Sequence, residues 1–171
     1  QFDKNKYQNR HQVEKYNDFI NDSLKSSFSA DKLVLHVDNL KLNTNSSSLP
    51  ILGINPGASY GSAKRWYPEE FAKVASELSD RYDIVIFGGP GEVDIALDIE
   101  KSLLEKGVKN YKNLAGKTTI PELMSRISNL DLFITGDSGP MHVAAAFQVP
   151  TVAIFGPTKD DETSQWMNEK S

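Results

Sequence analysis

Four apolar runs constrain this chain more than anything else in it. They are Ile51-Leu52-Gly53-Ile54, Ile84-Val85-Ile86-Phe87, residues 131–134 and Thr151-Val152-Ala153-Ile154-Phe155. Each is short, close to continuous in apolar residues, and followed by a loop of glycines or small residues. A strand that is apolar on both sides is buried on both sides, so the runs predict a parallel sheet with helices on each face. Right-handed crossovers then leave a doubly wound α/β sheet. In such a sheet the ligand crevice lies beyond the carboxyl ends of the strands. The loops expected there are 55–62, 88–91, 135–140 and 156–158, and they should converge on one crevice.

The stretches between the runs read as helices. Pro68 suits a first helical turn, Glu69 and Glu70 sit near its positive end, and Phe71, Val74, Ala75 and Leu78 form an apolar stripe. Residues 92–106 read as a helix closed by Gly107. Thr119 reads as the N-cap of a helix over 119–129, with Pro121 and Glu122 in its first turn. A further helix is expected over 138–147, and residues 108–110 read as a short strand. Before residue 50 the pattern is looser. Val13, Tyr16, Phe19, Ile20 and Leu24 recur at helical spacing, residues 33–37 read as a short strand, and 43–48 as a loop. This divides the chain into an amino-terminal helix and linker, 1–49, and a sheet domain, 50–171.

Composition narrows the class. The chain has 171 residues, enough for one domain with a core, and its net charge of −4 points away from nucleic acid as a partner. It has no cysteine, which excludes disulfides and thiolate metal sites. No His/Asp/Glu spacing suggests a metal site, and no apolar run approaches the roughly 20 residues of a bilayer span. Gln1 and the unstopped end at Ser171 lead us to expect a piece of a longer protein.

The loops carry the chemistry. Gly136-Asp137-Ser138-Gly139-Pro140-Met141-His142 sits where a strand gives way to a helix. Free N–H groups and the positive end of the helix dipole favour an anion there. An Asp or Ser at this position is most often an N-cap, but two of them plus a glycine exceed what capping needs. A carboxylate repels phosphate, so Asp137 is expected to hold sugar hydroxyls while Ser138 and the Gly139 backbone take phosphate. His142 reads as a phosphate contact or a structural histidine, and His11 and His36 as structural or surface residues. The loop from Asn55 to Trp66 is rich in small residues and ends in Lys64 and Arg65, cations suited to a diphosphate, or else is an ordinary surface loop. It has no Gly-Lys-Ser/Thr. In Gly88-Gly89-Pro90-Gly91-Glu92 the glycines answer to a tight turn, and Glu92 suits either a ribose or a helix first turn. No Gly-x-Ser-x-Gly elbow is present, which argues against hydrolysis through Ser138.

Six motifs in order resemble a known family. They are Asn55-Pro56-Gly57-Ala58, Ala63-Lys64-Arg65-Trp66, Phe87-Gly88-Gly89, residues 113–118, residues 136–146, and Ile154-Phe155-Gly156-Pro157-Thr158. Together, over about residues 50–158, they resemble the ADP-heptose:lipopolysaccharide heptosyltransferases. The Lys-Arg-Trp and Asp-Ser-Gly-Pro-Met-His forms look most like the type II branch. The resemblance implies a Rossmann-like fold, the carboxyl-terminal, donor-binding half of a GT-B glycosyltransferase.

By that resemblance Lys64 contacts the diphosphate and the heptose and is the residue here with a catalytic role. Ala58 and Ser59 fall near the phosphate-binding hydroxyls, and Glu92 at a ribose position. Lys117 and Thr118 line the adenine pocket. Asp137 holds the heptose, with Ser138, Gly139 and His142 in the adjoining phosphate turn. The implied reaction moves heptose from ADP-heptose to the lipopolysaccharide inner core, with no cofactor and no metal. The departing ADP is stabilised by N–H groups and Lys64. The general base and the acceptor site are expected in an amino-terminal domain outside this chain. The resemblance also implies a cytoplasmic protein at the inner face of the bacterial inner membrane, with peripheral contact there. Two other readings remain: a nucleotide-binding Rossmann module without transfer, and another GT-B enzyme of nucleotide sugars, such as an epimerase.

Overall fold

The computed structural model describes residues 10–37, 48–57 and 65–171. Its centre is a five-stranded, all-parallel sheet of β1 (Ile51–Asn55), β2 (Asp83–Ile86), β3 (Tyr111–Asn113), β4 (Leu132–Gly136) and β5 (Thr151–Ile154). The spatial order is β3-β2-β1-β4-β5. The chain therefore builds outward from β1 to β3, then crosses back and builds from β4 to β5. The carboxyl ends of β1 and β4, paired from Leu52↔Leu132 to Asn55↔Thr135, flank the point where the order reverses. That is where a doubly wound sheet opens a crevice.

Both faces of the sheet are covered. Leu52, Ile54, Ile84 and Ile86 turn to one face and meet α2 (Pro68–Leu78) and α3 (Val93–Glu105) through Phe71, Ala72, Ala75, Ala96, Ile99 and Leu103. Val85, Phe87 and Phe133 turn to the other and meet Ile127 of α4 (Ile120–Ile127) and Ala144 of α5 (Gly139–Ala146). The Phe87 and Phe133 rings meet edge to face, 6.2 Å apart. Gly53 makes room for them, since a Cβ there would lie 2.8 Å from the Phe133 ring. This two-sided burial is why the runs read as apolar throughout.

Local chemistry sets the element ends. Thr119 accepts a bond from the Glu122 N–H and Glu122 returns one to the Thr119 N–H, a capping box that starts α4 as expected. The helix stops at Ile127, two residues short of the predicted end. The predicted helix over 92–106 begins instead with a 3-10 turn, Pro90–Glu92. The strand expected at 108–110 lies at 111–113. The reason is the end of α3. Gly107, with φ of +79°, donates to Leu104 O, and Val108 donates to Leu103 O. That Schellman closure uses Val108 as its apolar plug, so the strand starts after it. The strand expected at 33–37 does not form, and Val34 is 68% exposed. An extended segment is a strand only where a neighbour completes its ladder.

At the amino end, α1 (Gln12–Leu24) packs on the chain's last residues. The His11 Nδ1 accepts from Val13 N, so the ring's hydrogen lies on Nε2 and is donated to Ser164 O at 2.9 Å. The same ring lies 4.7 Å from that of Trp166, and Lys15 Nζ meets Glu162 at 2.6 Å. His11 is therefore structural, one of the two roles expected for it. His36 is exposed. No helix among the described residues is long and apolar enough to cross a membrane.

Candidate functional site

A crevice of about 380 Å³ opens at the carboxyl edge of the sheet, at the reversal between β1 and β4. Asn55, Glu92, Thr118, Asp137, Ser138 and Gly139 line it, so the ends of β1, β2 and β4 converge as predicted, and the segment after β3, which was not among the loops expected there, joins them through Thr118. The loop after β5 joins them through one bond, from Thr158 Oγ1 to Asp137 Oδ2 at 2.8 Å. Pro90, Ile120 and Leu123 form an apolar wall beside the polar groups. A few convergent polar groups against an apolar wall is the usual make-up of a small-molecule site.

The last residue of β1, Asn55, organises the polar side. It is 2% exposed, and its Nδ2 lies 3.4 Å from Gly57 O, 3.4 Å from Thr135 Oγ1 and 3.3 Å from Ser138 Oγ. Two hydrogens shared among three acceptors make long bonds, beyond the usual 2.9–3.0 Å. Thr135 Oγ1 lies 3.1 Å from Gly136 O and 3.2 Å from Ser138 Oγ, and in the second contact either hydroxyl can be the donor.

The turn into α5 differs from an ordinary cap. Ser138 occupies the N-cap position in an extended conformation, yet its side chain makes no cap bond. The capping role weighed for Ser138 is therefore not the one it plays. A Cβ placed on Gly139 would meet nothing within 4 Å. Packing does not require glycine there, and the absence of a side chain leaves the backbone open to close approach. Of the first turn of α5, Pro140 has no N–H and the Met141 N–H is bonded to Ser138 O at 3.1 Å, so the turn offers an anion the Gly139 N–H and the positive end of the helix dipole.

Glu92 takes the first-turn part considered for it and also lines the crevice. Its Oε2 accepts from Gly89 N at 2.7 Å, closing the turn after β2, and its carboxyl group lies over Gly57 Cα. A methyl on Gly57 would overlap that carboxyl. The missing side chain in the β1 loop is what lets Glu92 reach the crevice.

Asp137 is 8% exposed and lies at the crevice floor. His142 sits behind it, one turn into α5, outside the crevice lining. Burial pushes its imidazole below the ordinary histidine range; Asp137 opposes that and His11 adds to it. Lys117 points elsewhere. Its Nζ donates to Asn113 O, on a separate open groove beside β3. Of the two residues expected at an adenine, only Thr118 reaches the crevice. Ala58, Ser59 and Lys64 lie outside the described residues. Among the described residues, no three His, Asp or Glu side chains gather as for a metal ion.

Sequence reasoning missed Asn55, Thr135 and Thr158 as side chains of the site. A signal existed for the first two, which are polar residues ending otherwise apolar strands. The loop 156–158 was expected at the crevice, but nothing local pairs Thr158 with Asp137, 21 positions away.

Residues 2–171 match the family described as glycosyltransferase family 9 (heptosyltransferase). Lipooligosaccharide heptosyltransferase 2 of Campylobacter jejuni subsp. jejuni serotype O:2 is 51% identical over 99% of this chain and 54% of its own length. The structure of Escherichia coli ADP-heptose lps heptosyltransferase II matches with a TM-score of 0.67 at 36% identity, over 73% of this chain and 38% of that one. A family 9 glycosyl transferase from Veillonella parvula matches with a TM-score of 0.78 at 25% identity, over 97% of this chain and 48% of that one. The chain thus spans about half the length of the relatives it matches.

Proposed function

Since the chain belongs to glycosyltransferase family 9, the heptosyltransferases, we propose that it is the donor-binding half of a type II enzyme, one that moves heptose from ADP-heptose to the lipopolysaccharide inner core. The observation that carries this reading is the crevice at the β1/β4 reversal, with Glu92, Asp137 and the Ser138-Gly139 turn around one space. Glu92 binds the ribose, Asp137 the transferred sugar, and the Ser138-Gly139 turn the diphosphate. Thr118 and the wall of Pro90, Ile120 and Leu123 receive the adenine. Lys64, in the loop after β1, adds its charge to the diphosphate as ADP leaves.

The chemistry follows from charge. Breaking the sugar–phosphate bond leaves an extra negative charge on ADP. Fixed N–H dipoles and a lysine stabilise that charge more than they stabilise the intact donor, which lowers the barrier. A base must also take the acceptor's proton, and it is assigned to the other half of the enzyme with the acceptor site. The division at residues 49 and 50 into linker and nucleotide-sugar domain, the cytoplasmic location and peripheral contact with the inner membrane belong to the same proposal.

The test is calorimetric titration of the whole enzyme with ADP, UDP and GDP, beside a transfer assay with ADP-heptose. ADP should bind tightest, and the isolated 171-residue chain should bind it without turnover. Tighter UDP binding overturns the donor assignment. Donor binding with no transfer by the whole protein favours the plain nucleotide-binding module.

A further inference from the structure

The geometry points to Thr158 as the positioning residue that aims the Asp137 carboxylate at its ligand. This rests on the reading of Asp137 as a sugar-binding residue and adds a part to it. The last torsion of an aspartate sets which way its two oxygens face. The bond that turns its carboxyl group joins tetrahedral to planar carbon, and its preference is broad. Rotamer preference alone therefore leaves the plane of the two oxygens loosely set. Asp137 stands at the end of β4, 8% exposed, where the direction of its lone pairs decides which hydroxyls it can accept.

Thr158 supplies one constraint on that plane. Its Oγ1 donates to Asp137 Oδ2 at 2.8 Å, a bond strengthened by the carboxylate's charge. A β-branched side chain is stiff at χ1, so the donor itself is well placed. It enters from the loop after β5, the strand paired with β4, whose own end carries Asp137. One donated bond uses one of about four acceptor sites on a carboxylate. Sugar hydroxyls can therefore be accepted while Thr158 stays bound. Thr158 acts on the sugar only through Asp137, so its loss should affect the sugar-bearing donor more than ADP alone.

The experiment uses the whole enzyme with Thr158→Val, which keeps shape and loses the hydroxyl, and Thr158→Ser, which keeps the hydroxyl. Thr158→Val should lower kcat/KM for ADP-heptose on the order of tenfold, the size of one charge-assisted bond, and leave ADP affinity within about twofold. Thr158→Ser should restore most of the rate. A fall in melting temperature with kcat/KM and ADP affinity unchanged overturns the proposal, because it makes the bond purely structural. A second readout does not need turnover. With carboxyl-labelled aspartate, Thr158→Val should raise the Asp137 titration midpoint, since the charged form loses a donor. No movement of that midpoint overturns the Thr158 assignment. Absence of transfer by the wild-type enzyme overturns the heptosyltransferase reading instead, and the carboxyl titration still decides the Thr158 bond.

Discussion

The two ends of the sheet use the same residue types for opposite purposes. At the amino end, Asn110 donates to Ser79 O at 2.7 Å and Tyr82 O at 2.8 Å, and Asp131 accepts from Ile51 N at 2.7 Å. These are short bonds to backbone, and they tie down the turns that lead into the strands. At the carboxyl end, the Asn55 amide is shared among three acceptors at 3.3–3.4 Å, and Asp137 bonds a side chain from another loop. There the polar groups brace one another around open space. Saturated backbone bonds mark the end that stabilises the domain, and mutually braced side chains mark the end where the crevice opens.

Exchanging losses between the two ends tests the contrast. The largest effect is expected from Asp137→Ala in the whole enzyme, which should lower the transfer rate on the order of 100- to 1000-fold. Its melting temperature should stay within about 3 °C of wild type. A loss of folding comparable to the loss of rate would break the contrast. Next comes Asn110→Ala, which leaves two carbonyls unpaired and should cost about 2 kcal/mol of stability, roughly 4–8 °C in melting temperature. Its ADP affinity should not change, and calorimetry showing weaker binding would mean that the two ends are coupled.

Smaller effects sharpen the picture. Gly57→Ala displaces the Glu92 carboxyl and should weaken ADP binding about tenfold, the scale of one lost charge-assisted bond. Unchanged affinity would remove Glu92 from the nucleotide site. The smallest expected effect concerns pH. Burial favours neutral His142, so its folded pKa lies below its unfolded value. Its share of stability is then full above the ordinary histidine range and is lost as pH falls from there through the lower folded pKa. Saturating ADP should raise the His142 midpoint, because the diphosphate favours the imidazolium. An imidazole titration in NMR that ignores ADP would place His142 outside the phosphate turn.

Much of this was legible in the residues. The Asp137-Ser138-Gly139 turn, Glu92 and Thr118 were all expected at one site and do line one crevice. Lys117 was not placed correctly by its proximity to Thr118. It is one residue away along the chain, but the turn at Gly116, with φ of +70°, sends its side chain to the β3 groove instead. The short strand after α3 was shifted for a similar reason, because the Schellman closure consumed Val108 first. In both cases a local turn decided the direction, and residue type alone does not report it.

By itself the sequence determined the sheet, its parallel sense, the helices that cover it and the edge where ligands gather. Those properties follow from short-range patterning: apolar runs, caps and glycines within a few residues of one another. Only the tertiary structure decided that the Asn55 amide meets Ser138 and that Thr158 meets Asp137. Those pairs depend on the strand order β3-β2-β1-β4-β5, which sets β1 and β5 on either side of β4. Neighbours in a sheet are set by how the whole chain closes on itself. The residues that aim the site were therefore visible only once the strands had been laid side by side.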